Sequence, residues 1–173
     1  MRRIEVAVRR FPDALALGFR LYGNLTRVRL PEPRAPRTAT RLWEHTCFEA
    51  FVAIEEAGAY HEFNFAPSGE WAAYAFRSYR DRVPLNDKAL APEVLAPAIM
   101  VRAAGHRLAL DARVRLDRLS PQHTRAPLRL GLSAVIEALD GTLSYWALRH
   151  SAGKPDFHRD ESRALLLEPP VGE

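Results

Sequence analysis

Apolar and polar residues alternate with a period of two along most of the chain, the pattern of strands with one buried face. Ile4, Val6 and Val8 alternate with polar or charged neighbours, and Leu15, Leu17, Phe19 and Leu21 continue the pattern. Gly23-Asn24 then reads as a hairpin turn, with Thr26, Val28 and Leu30 on the returning arm. Residues 31–41, PEPRAPRTATR, are too polar and too interrupted by proline for a strand, and predict a connection. The next stretch, LWEHTCFEAFVAI (42–54), is different. If Phe48, Ala50, Val52 and Ile54 face the core, the opposite face carries Cys47, Glu49, Phe51 and Ala53. That strand is apolar on both sides except for one carboxylate.

Three further hairpins follow. AYHEFNFAPSGEWAAYAFRSYR folds about Pro67-Ser68-Gly69-Glu70, Ala98 to Val114 turn through Ala104-Gly105, and Leu128 to His150 turn through Asp140-Gly141. Residues 81–97, with three prolines, predict a long irregular loop. The tail combines a polar loop with a last apolar segment, Ala164 to Leu167. There is no internal repeat, no domain linker and no long helical pattern. Ten or eleven short strands joined by hairpins predict one all-β domain over residues 1–173, an antiparallel β-sandwich.

Register can be read from the turns. With Ser68-Gly69 at the centre, Ala66 lies opposite Trp71, Asn64 opposite Ala73, Glu62 opposite Ala75 and Tyr60 opposite Arg77. Phe63, Phe65, Tyr74 and Phe76 then share a core face, with His61 at its end. Tyr60, Glu62, Asn64, Trp71 and Arg77 stand on the other face around Ala73 and Ala75. A four-residue loop gives the same pairing; a loop of odd length breaks it. About Asp140-Gly141, Glu137 falls opposite Ser144, Val135 opposite Trp146 and Ser133 opposite Leu148. Again a tryptophan stands with a carboxylate and hydroxyls away from the core.

Composition narrows the function classes. The chain has 173 residues, 27% charged and 47% hydrophobic, as ordinary folded domains do. No apolar run reaches the roughly 20 residues of a membrane span, and the basic start MRRIEVAVRR is not followed by an apolar stretch. One cysteine allows no internal disulfide, so the expected address is the cytoplasm. The net charge of +4 is almost entirely arginine, scattered through every segment, so neither nucleic acid nor a membrane is expected as a partner; a protein partner stays unknown.

A tryptophan among carboxylate, amide and guanidinium groups suits a polyhydroxylated ligand. The apolar face of a sugar ring stacks on an aromatic ring, and charged groups bind its hydroxyls. Cross-strand packing and pairing explain the same residues without a ligand. His150, Asp156 and His158 have metal-ligand chemistry, but a loop in which Asp156 caps a turn and Asp160 starts a helical turn accounts for the aspartates. Cys47 beside His45 reads as a buried, inert thiol. Glu44, Glu49 and Glu62 could supply a glycosidase pair only if two stood roughly 5–10 Å apart in a cleft. No catalytic constellation, phosphate loop or nucleophile elbow is present.

LWEHTCFEAFVAI, followed by YHEFNFAPSGEWAAYAF and later LSYWAL, resembles the DOMON-like proteins related to family 9 carbohydrate-binding modules. The shared pattern is a Leu-Trp, a Glu-x-Phe on the next strand, a Tyr-x-Glu-Phe strand, a Ser-Pro-x-Gly-like turn and a later tryptophan-bearing strand. It runs from about Leu42 to His158. It implies a jelly-roll β-sandwich that binds sugars in some relatives and haem in others. By this resemblance Trp43 and Trp146 would sandwich a sugar, Glu49, six residues after Trp43, would bind its hydroxyls, and Arg77 matches an arginine only loosely. Glu62, Asn64 and Trp71 complete the expected binding set. Where relatives place acidic residues that help bind calcium, this chain has His45, Thr46 and Cys47, so calcium is not expected. Haem would need an axial ligand, and beyond Met1 the one methionine is Met100, away from the core-facing set of its hairpin. The expected function is a non-catalytic sugar-like-ligand-binding domain, with a haem- or metal-carrying redox module or a protein-interaction domain as alternatives.

Overall fold

Strand β2 (Ala14–Tyr22) shows why two layers form: its inward residues, Leu15, Leu17, Phe19 and Leu21, are completely or almost completely buried, and they need a second sheet against them. The computed structural model describes residues 3–84 and 92–170. Among these residues it contains eleven strands in two antiparallel sheets. One sheet is built from β1 (Arg3–Arg10), β2, β7 (Ala98–Ala104) and β8 (Arg107–Arg115), in the order β1-β2-β8-β7. The other contains β3 (Cys47–Ile54), β4 (Tyr60–Phe65), β5 (Trp71–Ser78), β6 (Asp81–Val83), β9 (Leu128–Glu137) and β10 (Leu143–Ala147), in the order β10-β9-β3-β4-β5-β6. The short β11 (Leu165–Leu167) also pairs with β9. The fold is an all-β sandwich.

The core lies between the sheets. Phe19 stands 5.0 Å from Phe48 and 6.4 Å from Phe65, ring centre to ring centre, and aliphatic residues of β8 and β9 close around them. Strand β3 is central in its sheet and buried on both sides. Phe48, Ala50 and Val52 join this core, while Cys47, Phe51 and Ala53 join a second apolar layer on the outer face with Tyr60, Tyr74 and Phe76. Two segments cover that outer face. One is a single 3-10 turn, Leu42–Glu44, anchored by buried Leu42. The other is the tail around residues 155–163, which approaches where β9 carries Gly131; a Cβ there would stand 3.1 Å from the Ser162 carbonyl oxygen.

Two turns correct the register expected from the sequence. The Ala66 amide donates to the Glu70 carbonyl, which makes Pro67-Ser68-Gly69 a three-residue loop, and Gly69 has φ +94°. The Ala138 amide donates to the Thr142 carbonyl, which makes Leu139-Asp140-Gly141 the same kind of loop, and Gly141 has φ +85°. Three-residue hairpins of this kind close with a left-handed residue that only glycine adopts without strain. An odd loop moves each pairing by one residue, and one residue exchanges the faces. Phe65 therefore pairs with Trp71, Glu62 with Tyr74, and Val135 with Tyr145. Trp71 turns into the core, and Tyr74 and Phe76 turn outward beside Glu62.

Other expectations are met or revised locally. Gly23-Asn24 is not a hairpin: the Asn24 side chain accepts from the Thr26 amide, a 3-10 turn follows, and Val28 crosses to bridge Ala138 of the other sheet. Of the loop expected at 81–97, residues 85–91 lie outside the described residues, and its flanks form β6 and a single helical turn, α1 (Pro92–Leu95). The only other α-helix among the described residues is α2 (Pro121–Arg125), and no helix among them is long and apolar enough to cross a membrane.

Replacing Gly141 with valine should therefore strain the loop and lower stability by about 1–2 kcal/mol. Urea unfolding measures this, and Gly141→Asn, which tolerates a left-handed backbone better, should lose less.

Candidate functional site

The outer face of the seven-stranded sheet holds a cleft of about 470 Å³. Its floor comes from β3 and β4. Glu49 pairs directly with Asn64 across the strands, and Phe51 pairs with Glu62, so the two glutamates are diagonal neighbours on one face. Both are buried, Glu49 to 3% exposure. Ser133 on β9, the cross-strand partner of Glu49, donates to Glu49 Oε2 at 2.8 Å. Asn64 Nδ2 donates to Glu62 Oε1 at 2.9 Å, while the buried Asn64 Oδ1 has no partner among the described residues.

Aromatic residues stand around this floor. Trp43, held by the 3-10 turn, is 38% exposed and meets Tyr74 edge-on with centroids 5.7 Å apart. Tyr145 of β10 is 42% exposed and packs 6.3 Å from Phe157 of the tail. Arg82, beside Phe76 in the β5–β6 pairing, lies 4.2 Å from the centre of the Tyr74 ring. His158 sits edge-on to Phe51 and Phe76; its Nδ1 is 2.8 Å from the Tyr60 hydroxyl and its Nε2 is 3.7 Å from Glu62 Oε2. The tail is fixed there by Asp156, which accepts from Arg80, the Tyr79 hydroxyl and the His158 amide.

Burial governs the electrostatics. Removal from water holds Glu49 above the ordinary carboxylate range, the charge of Glu62 raises it further, and Ser133 offsets this only in part. Glu62 is raised by burial too, but the Asn64 donor and the cations Arg80 and Arg82 draw it back. Burial thus holds both carboxyls above the ordinary range, and the groups that favour a carboxylate, Asn64, Arg80 and Arg82, act on Glu62. Burial pushes the Cys47 thiol well up, with Glu49 adding to it, which leaves it inert as the sequence suggests. Burial also lowers His158 to about 4, and Arg80 adds to the effect. Asp156 resists burial because Tyr79 and Arg80 donate to it, and it lies at about 2.

Of the residues expected from the sequence, Trp43, Glu49 and Glu62 line this one cleft, with Asn64 buried against them. The others are elsewhere. Trp71 is 3% exposed in the core, a consequence of the odd loop. Arg77 lies out in solvent and pairs with Asp81 at 3.4 Å, so the Glu49–Arg77 salt bridge considered from the sequence does not form. Trp146 turns to the other side of β10, donates to Ser144 and lines an apolar hollow with Val6, Leu132 and Leu165. Tyr145 takes the place expected for it.

The weak metal set is also dispersed in its bonding. Asp156 and His158 are engaged as above, and His150 packs 6.1 Å from Phe157. Among the described residues no three His, Cys, Asp or Glu side chains are grouped to hold an ion. Asp156 and the 3-10 turn Asp160–Ser162 do structure the tail as the turn-forming reading expects. Met100 is exposed on the opposite sheet and lends no support to a haem site. Sequence reasoning missed Tyr74 and Tyr145 through loop parity. It assigned no binding role to Arg82, because residues 81–97 read as an irregular loop where β6 forms, or to Phe157, whose place depends on long-range packing.

No family model matches the chain, and no curated protein matches it in sequence. Solved structures do resemble it. A candidate carbohydrate-binding protein from Bacteroides uniformis superposes with a TM-score of 0.64 at 16% identity, covering 92% of this chain and 76% of that one. A family 9 carbohydrate-binding module from Caldicellulosiruptor kristjanssonii, solved with glucose, superposes with a TM-score of 0.56 at 8% identity, covering 96% and 75%. At these identities the likeness establishes the fold: a β-sandwich of the kind found in family 9 carbohydrate-binding modules.

The carboxyl pair has a consequence for stability. Both groups bind protons more tightly in the folded than in the unfolded chain, so their contribution is fully present below the ordinary glutamate range and is lost as pH rises through the raised folded values. Glu49→Gln should therefore be more stable than the wild type at pH 9, by about 2–4 kcal/mol, with the gap closing below pH 5. Chemical denaturation at both pH values measures it.

Proposed function

We propose that the chain is a saccharide-binding domain and that the cleft on the outer face of its seven-stranded sheet is the binding site. The observation that carries this is the meeting of exposed Trp43 and Tyr145 with the Glu49–Glu62 floor in one cleft. Aromatic rings take the apolar faces of a sugar, and carboxyl groups take its hydroxyls. An open cleft with an aromatic rim and few polar groups at its base also has the form expected of a small-ligand site. The glucose held by the structurally similar family 9 module supports the same ligand class.

In this reading Trp43 and Tyr145 supply stacking, Glu49 and Glu62 bind hydroxyls, and Arg82 offers a charged donor at the rim. Asn64 orients Glu62 from below. Trp71, Arg77 and Trp146 take no part. Kinship with the DOMON-like proteins, a single domain over residues 1–173 and a cytoplasmic address belong to the same proposal, as does binding without calcium or haem.

Calorimetric titration with a panel of mono- and oligosaccharides tests it. At least one sugar should bind, Trp43→Ala and Tyr145→Ala should each weaken that binding by about tenfold or more, and Trp146→Phe should leave it unchanged. Absence of binding across the panel, or loss in Trp146→Phe but not in Trp43→Ala, would contradict it.

A further inference from the structure

We propose that this cleft also catalyses interconversion of the α and β anomers of a reducing sugar bound in it, with Glu62 as general base and Glu49 as general acid. The inference rests on the saccharide reading and adds an activity to it.

The geometry is that of a bifunctional catalyst. Glu49 and Glu62 rise from adjacent strands on the same face, one residue pair apart. Their side chains reach the cleft from the same side rather than from opposite walls. Glycoside hydrolysis uses carboxyl groups that flank a bond, with room for water and for a leaving sugar. Two carboxyl groups side by side suit instead a reaction at two oxygens on one carbon. The anomeric carbon of a sugar is such a centre, since it carries both the hydroxyl O1 and the ring oxygen O5.

The surroundings divide the roles. Glu62 has an amide donor from Asn64 and feels the positive charges of Arg80 and Arg82, which favour its carboxylate. Glu49 lies between Cys47 and Phe51 on its face of β3, and among the described residues only the Ser133 hydroxyl donates to it, which favours its acid form. Directly opposite Glu49, Asn64 keeps a buried amide oxygen without a donor, so a protonated neighbour is better accommodated than a second carboxylate.

The step balances without a co-reactant. Glu62 carboxylate removes the proton of the O1 hydroxyl, and the electron pair of that O–H bond forms the carbonyl at C1. The C1–O5 bond breaks, and its electrons leave with O5, which takes the proton of Glu49. The open-chain aldehyde turns about C1–C2. The reverse transfers then close the ring in the other configuration, and Glu49 and Glu62 regain their starting states. Removal and delivery of protons occur together, so little charge develops in a site that solvates charge poorly.

Freshly dissolved α-D-glucose, followed by polarimetry with and without the protein, tests this, with calorimetry on the same samples. Wild type should speed the approach to anomeric equilibrium in a saturable way, on the order of 10²-fold beyond an equal concentration of acetate. Glu49→Gln and Glu62→Gln, each checked for folding by circular dichroism and assayed at glucose concentrations that saturate them by calorimetry, should lose the acceleration even where the site is filled; Arg77→Ala, outside the cleft, should keep both binding and acceleration. Glucose binding without acceleration by the wild type, or acceleration that survives in both glutamine variants, overturns this inference and leaves the binding reading intact. If neither glucose nor any other sugar binds and nothing is accelerated, the binding reading fails and takes the inference with it.

Discussion

A strand covered on both faces has no inexpensive position for a carboxylate, and Glu49 stands on such a strand. Everything distinctive about this sandwich follows from how that carboxylate is accommodated. The four-stranded sheet covers one face of β3. The other face is covered only in part, by the Leu42–Glu44 turn and by the tail, and the gap between them is the cleft above Glu49 and Glu62. One hydroxyl and one amide serve the pair, burial holds both carboxyls above the ordinary range, and Arg80 and Arg82 favour ionisation of Glu62. Such an arrangement is poor for stability and well suited to a ligand with hydroxyl groups of its own to offer.

The fold was legible because its signals are local. Period-two alternation, loop glycines and the doubly apolar 47–54 stretch are enough to give a two-sheet antiparallel sandwich with Phe48, Ala50 and Val52 on its core side. The site was half legible. Glu49 and Glu62 could be named because face assignment within β3 and within β4 needs only alternation, whereas Trp43, on the turn before β3, was named by the family resemblance. The partners across the hairpins could not, because pairing depends on whether a loop has an even or odd number of residues. Pro67-Ser68-Gly69 and Leu139-Asp140-Gly141 are odd, and that exchanges Trp71 for Tyr74 and Trp146 for Tyr145. A turn-forming Ser or Asp followed by a left-handed glycine was the available signal, and it fits a three-residue loop as well as a two-residue one. Phe157 and His158 have no such signal: the tail docks where Gly131 leaves room, a fact of packing between residues far apart in the chain.

Charge follows the same logic. Arg80 is committed to Asp156 and so fixes the tail wall, whereas Arg82 lies over the Tyr74 ring and faces the cleft. The two arginines sit close together in sequence and differ in role because Arg80 lies in the turn between β5 and β6, where it has φ +55°, whereas Arg82 lies on β6 opposite Phe76. The aromatic rim, the carboxyl floor and the two arginines beside it come from separate segments that only the tertiary fold unites.

The three tryptophans occupy three different environments: Trp43 at the cleft, Trp71 in the core and Trp146 at the apolar hollow on the other side of β10. Their indole N–H signals in a nitrogen-15 proton correlation spectrum therefore report where a ligand sits. Titration with a binding sugar should shift the Trp43 indole signal and leave those of Trp71 and Trp146 in place. A shift confined to Trp146, with Trp43 unmoved, would contradict the placement of the site above Glu49 and Glu62.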